Sequence, residues 1–181
     1  MLIVALVVLT IMTVAGLMMF RTVGGGVQIA GNIGFKQNAT SLGDLGVERG
    51  RAFVMQYKSD ATPLEQNVSA QGYFASWDDA FDPVSYDWSN AARATAAGAD
   101  DGTGNEVRYV IHRMCLQAGP ANAATQRCSA PAGTGMGGGG GGADLGYGAA
   151  APVGTGQPYY RITSRVDGPR GTVSYVQVIM F

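Results

Sequence analysis

The chain predicts an α+β fold, with a long N-terminal helix followed by a C-terminal antiparallel β-sheet domain. Three stretches carry that expectation. Residues 1–20, MLIVALVVLTIMTVAGLMMF, contain no charged side chain. Residues 107–114, VRYVIHRM, are rich in β-branched and aromatic residues, as a strand requires. Residues 159–166 and 172–181, YYRITSRV and TVSYVQVIMF, alternate apolar and polar positions around the turn Asp167-Gly168-Pro169-Arg170-Gly171, which reads as a hairpin with a five-residue loop.

The first element is apolar on every side, so lipid or protein must surround it. As a helix it would be about 30 Å long, enough to cross the hydrocarbon core of a bilayer. Three answers compete for what buries it. A cleaved signal peptide fits poorly, because no basic stretch precedes the run and no clean small-x-small site precedes Arg21. A permanent membrane anchor and a helix that leaves the membrane to pack among copies of itself share every local feature.

Gly24, Gly25 and Gly26 follow. Three glycines cost a helix roughly 2–3 kcal/mol relative to alanine, which predicts a break somewhere between Gly16 and Gly26. A second, amphipathic helical segment is expected over residues 27–57. Val27, Ala30, Ile33 and Gly34, then Leu42, Leu45, Arg49, Ala52 and Phe53, fall at helical spacing. Gly31, Gly34, Gly43, Gly46 and Gly50 weaken it. They read either as places where neighbouring helices approach closely or as poor helix formers rescued by packing.

The remainder, 58–181, is expected to be one globular β domain. Residues 58–106 look irregular, with loops at Pro63, Pro83 and the run 76–82. Asp78, Asp79, Asp82 and Asp87 lie among Trp77, Phe81, Tyr86 and Trp88. They read as a solvated loop with aromatic anchors more readily than as a cation site. Residues 100–106, DDGTGNE, loosely resemble a calcium loop but lack its alternating ligands, so a plain turn is expected. Cys115 and Cys128 have 12 residues between them. The rival reading, half of a metal site, would need four ligands at finger-like spacing, and the whole chain has one histidine. A disulfide in an oxidising compartment is expected, contributing about 3 kcal/mol by loop closure. Residues 133–156 form a glycine-rich loop, with Gly137 to Gly142 uninterrupted. The last residues, Met180 and Phe181, leave no polar tail, so this end is expected to be tied into a sheet or interface.

Composition narrows the function classes. Formal net charge is −1, from 12 basic and 13 acidic residues, and no basic stripe suggests nucleic acid. Charged residues are 14% and glycines number 28, which suits a subunit packed among others. His112 and Cys115 stand three apart in a strand and face opposite sides, so they make no catalytic pair. There is no Gly-x-Ser-x-Gly elbow, phosphate loop or His-Glu-x-x-His. No enzyme and no cofactor are expected.

The order of elements resembles that of type IV pilins, and more narrowly the PilX-like pilus proteins of Gram-negative bacteria. The residues that carry the resemblance are LIVALVVLTIMTVAGL (2–17), Arg21-Thr22, Ala30-Gly31-Asn32, VRYVIHRMC (107–115) and the closing hairpin. The resemblance implies a subunit that waits in the inner membrane and then polymerises into an extracellular filament, beside other pilins and the membrane assembly machinery. Minor pilins that prime assembly at the tip are one alternative. A membrane-anchored periplasmic binding module is another. The filament core would be built from Met1, Leu2, Ile3, Val4, Ala5, Leu6, Val7, Val8, Leu9, Ile11, Val14, Ala15, Gly16 and Leu17. Met1 would be a processed N-terminus and a candidate for methylation, the short basic leader having been removed. Position 5, where most pilins carry a glutamate, is Ala5, and residues 1–9 hold no acid.

Overall fold

The computed structural model describes residues 1–57, 59–98, 104–131 and 157–181. The glycine-rich loop 133–156 and positions 100–103 of the expected turn lie outside the described residues.

The first element, α1, runs from Leu2 to Gln56 without interruption. The break expected between Gly16 and Gly26 is therefore absent, and Gly24, Gly25 and Gly26 are helical. Propagation of a helix adds a hydrogen bond for each residue fixed, so a local propensity deficit of roughly 2–3 kcal/mol does not stop a helix this long. The chain divides into two compact units, Met1–Asn38 and Ala39–Phe181. This boundary falls inside the segment 27–57, not at Gly26 or Tyr57.

The second unit is a mixed sheet packed on the last turns of α1. Among the described residues it has five strands: β1 (Tyr73–Phe74), β2 (Thr95–Ala96), β3 (Glu106–Arg113), β4 (Tyr160–Gly168) and β5 (Thr172–Met180). Strands β3, β4 and β5 follow one another antiparallel, with Ile111 opposite Ile162 and Ile162 opposite Val178. The other edge of β3 takes two short partners. β2 pairs antiparallel, and β1 pairs parallel, with Tyr73 opposite Ile111. That parallel pair corrects the all-antiparallel expectation, and the region expected to be irregular supplies both short strands. The hairpin loop is also tighter than expected. Pro169–Gly171 form a 3-10 turn, and the strands extend to Gly168 and Thr172.

Alternation along the strands divides the sheet's side chains between two clusters. Val107, Tyr109, Ile111, Tyr160, Ile162 and Val166 pack with Ala39, Val47, Phe53 and Val54 of α1. The helix face differs from the expected one. Leu45 and Arg49 are exposed, whereas Gly43, Gly46 and Gly50 are buried. A Cβ at Gly43 would stand 2.5 Å from Val176 Cγ2, at Gly46 2.9 Å from Ser164 Cβ, and at Gly50 2.9 Å from Ile162 Cγ2. These glycines bring the helix onto its own sheet, not onto a neighbouring helix. On the opposite face Trp88, Ala94 and Val110 form a smaller core with Phe74, Phe81 and Tyr86.

Candidate functional site

The feature with the largest physical consequence is the apolar stretch of α1. Every residue from Met1 to Arg21 is exposed within the chain, Leu2 at 79% and Phe20 at 81%. A window of this helix is long and apolar enough to cross a membrane, and none of it is buried. The two threonines do not interrupt its character. Thr10 Oγ1 donates to the Val7 carbonyl and Thr13 Oγ1 to the Thr10 carbonyl, both at 2.8 Å, so each hydroxyl proton is satisfied within the helix. Gly16 has open space where a side chain would stand. The residues expected to build a filament core thus lie on α1, with Met1 directly before it, and nothing in their own unit covers them. The first acid in the chain is Asp44, so no carboxylate competes in this stretch.

Cys115 and Cys128 are joined by a disulfide. The loop is braced on both sides of the bond. Leu116 N donates to Arg127 O at 2.9 Å, and Ser129 N to Met114 O at 2.8 Å. Gln126, buried, donates through Nε2 to the Gln117 carbonyl at 2.6 Å and accepts from Gln117 N at 3.1 Å. Arg113 is buried too, and its guanidinium donates to the carbonyls of Ala75 at 2.9 Å and Gly119 at 2.6 Å. One charged side chain therefore ties the loop to the strand region before it. Nothing in the sequence marks Arg113 for this, since its partners are main-chain carbonyls supplied by the fold.

The polar residues of the other sheet face pack among aromatic rings. His112, 3% exposed, stacks on Phe74 with ring centroids 5.4 Å apart and meets Phe81 edge-on at 4.7 Å. Burial, reinforced by the Arg161 guanidinium, pushes its pKa down to about 4, so the ring is neutral at pH 7. Arg161 lies 3.4 Å above the Trp77 ring, a cation–π contact that holds residues 77–81 against the sheet. The aspartates nearby cap turns. Asp78 accepts from Ala80 N at 2.9 Å, Asp79 accepts from Trp77 Nε1, Asp82 accepts from Val84 N at 3.1 Å and Ser85 Oγ at 2.9 Å, and Asp87 accepts from Ser89 Oγ at 2.6 Å. Hydrogen bonds from their neighbours hold Asp82 and Asp87 below the usual carboxylate range. Among the described residues no group of three or more His, Cys, Asp or Glu is placed to hold a metal ion.

No protein-family model matches this chain, and no curated protein or solved structure matches it. What stands is the architecture itself: an N-terminal helix apolar enough to span a membrane and a disulfide-bearing α+β unit, an arrangement compatible with a pilin-like fold.

Proposed function

We propose that the chain is a structural pilin subunit. Its helix resides in the inner membrane and then packs with many copies into the core of a type IV pilus-like extracellular filament, with the β domain outside. It works without enzymatic activity, beside other pilins and the inner-membrane assembly machinery. The observation that supports this reading is the unbroken exposure of residues 1–21, whose apolar surface needs a partner beyond the chain. Lipid is itself apolar, so the transfer from membrane to filament is driven by close packing more than by dehydration. Ala5, Ala15 and Gly16 are the positions where helices approach most closely in such a core.

Shearing of intact cells tests the reading. The subunit is expected in the sheared surface fraction, in filaments identified by imaging and mass spectrometry. Ala15→Leu or Gly16→Leu is expected to remove it from that fraction while Leu9→Ile leaves it there. A chain that stays with the inner membrane after shearing is an anchored module, and the filament reading then fails.

A further inference from the structure

Three arginines stand on the face of β3 and β4 turned away from α1: Arg108, Arg161 and Arg165. Two of them meet acids. Arg108 Nε donates to Glu106 at 2.6 Å, and Arg165 pairs with Asp167 at 2.6 Å. Each acid lies two residues away on the same strand, where alternation returns it to the same face. Arg161 has Tyr159 and Thr163 at those positions. It forms no ion pair among the described residues, and neither Nε nor Nη2 has a hydrogen-bond partner. Yet it is only 8% exposed. Burial lowers its pKa to about 10, against the pull of Asp78, and the guanidinium is charged at pH 7. A charge held out of water is costly unless it is paired and hydrogen-bonded. The register of the two strands sets His112 directly opposite Arg161, and His112 Nδ1 is buried and unpartnered as well. One ring covers both. The Phe81 centroid is 4.7 Å from the Arg161 guanidinium carbon and 4.7 Å from the imidazole centroid.

We infer that Arg161 and His112 form a binding site for a small monocarboxylate beneath the strap of residues 77–81. Nε and Nη2 share one edge of the guanidinium, the edge that receives both oxygens of a carboxylate. The neutral His112 adds a third hydrogen bond from Nδ1, in the tautomer that carries its proton there. A single cation under apolar cover suits a single negative charge, because a dianion would bury charge in excess. Trp77, Phe74 and Phe81 supply an apolar wall for the rest of the molecule. Entry follows from how the strap is held. Among the described residues the hydrogen bonds of Asp78, Asp79, Ala80 and Phe81 stay within 77–81. The strap's middle rests on Arg161 and His112 through ring contacts, so it lifts without breaking a backbone bond to the sheet. Its start is pinned, since Trp77 N donates to Cys115 O at 2.7 Å. The site does not depend on the filament reading.

Titration of the full-length chain with sodium acetate tests this, in a neutral detergent at constant ionic strength, with chloride and inorganic phosphate as comparison anions. Nuclear magnetic resonance reads the Arg161 Nε–H and the His112 ring. Acetate is expected to shift both along one saturating curve. Arg161→Lys keeps the positive charge and removes the fork, and is expected to weaken acetate binding about tenfold, read on the His112 ring. The absence of a saturating shift at Arg161 Nε–H in the parent chain overturns the inference, and that measurement needs no variant to fold. An equal response to chloride or phosphate overturns it too, since the site would then answer to charge alone. So does a folded Arg161→Lys chain that binds acetate as tightly as the parent. The chains are dispersed, so a failure to polymerise leaves the outcome unchanged.

Discussion

One helix serves two different surroundings, and its glycines separate them. In Ala39–Gln56 the glycines Gly43, Gly46 and Gly50 are pressed against Val176, Ser164 and Ile162. In Leu2–Asn38 the glycines Gly16, Gly24, Gly25, Gly26, Gly31 and Gly34 have open space where a side chain would stand. The same residue type has its reason inside the chain in one region and none inside it in the other. A buried helical glycine on a sheet exchanges helix propensity, about 1 kcal/mol, for close approach. An exposed glycine makes the same sacrifice with no contact in its own unit, which directs attention to a partner outside.

The widest separation between the two regions is expected from truncating an apolar side chain in each. Phe53→Ala removes a ring that packs at 5.4 Å on Tyr57 and 5.6 Å on Tyr73. It is expected to lower the unfolding free energy of the β unit by about 3–5 kcal/mol in denaturant titration. Leu9→Ala, at an exposed position, is expected to leave that titration unchanged. Equal losses would mean that residue 9 has a partner within the chain.

Acid sharpens the contrast, because the second region holds a buried histidine and the first holds none. His112 titrates near 6.5 when unfolded and about 4 when folded. Its neutral form is the folded one, so its contribution is complete above pH 6.5 and is lost as pH falls toward 4. Arg161 opposes its protonation and Asp78 favours it. The loss amounts to about 3 kcal/mol at most. His112→Phe should flatten this part of the stability–pH curve, measured by thermal unfolding. A curve that keeps its slope in the variant would assign the slope to other groups.

Adding one methyl group tests the glycines directly. Gly46→Ala places a Cβ against Ser164 and is expected to cost about 1–3 kcal/mol despite the better helix propensity. Ser164→Ala in the same chain should recover part of it, since the hydroxyl is the nearest obstacle. A neutral or stabilising Gly46→Ala would mean that the helix can lift off the sheet at little cost.

The smallest effect belongs to the exposed glycines. Gly24→Ala, Gly25→Ala and Gly26→Ala together should leave unfolding of the β unit within about 0.5 kcal/mol of the parent. They should raise the helicity of residues 2–38, read by circular dichroism in detergent. A drop in β-unit stability would show that these glycines touch it after all.

Much of this protein was legible from composition and periodicity alone. Residues 1–20 reveal a helix without a polar face, because such a run has to be covered whatever the fold. Strands β3, β4 and β5 are legible because a period of two assigns every second side chain to one face before any partner is known. The cysteine pair is legible because one histidine leaves no other common chemistry for two such residues. What escaped were properties that depend on a neighbour. Gly43, Gly46 and Gly50 read in sequence either as points of approach between helices or as poor helix formers, yet they are the face that packs on the sheet, and only the sheet beneath them reveals it. The expected break at Gly24–Gly26 failed because propensity is local while helix propagation is cooperative. β1 and β2, two residues each, have no period to read and exist because β3 offers them an edge. Arg113, Gln126 and Arg161 are ordinary polar residues in sequence. Their burial was decided only when the chain brought main-chain carbonyls, a backbone amide and the Trp77 ring within their reach.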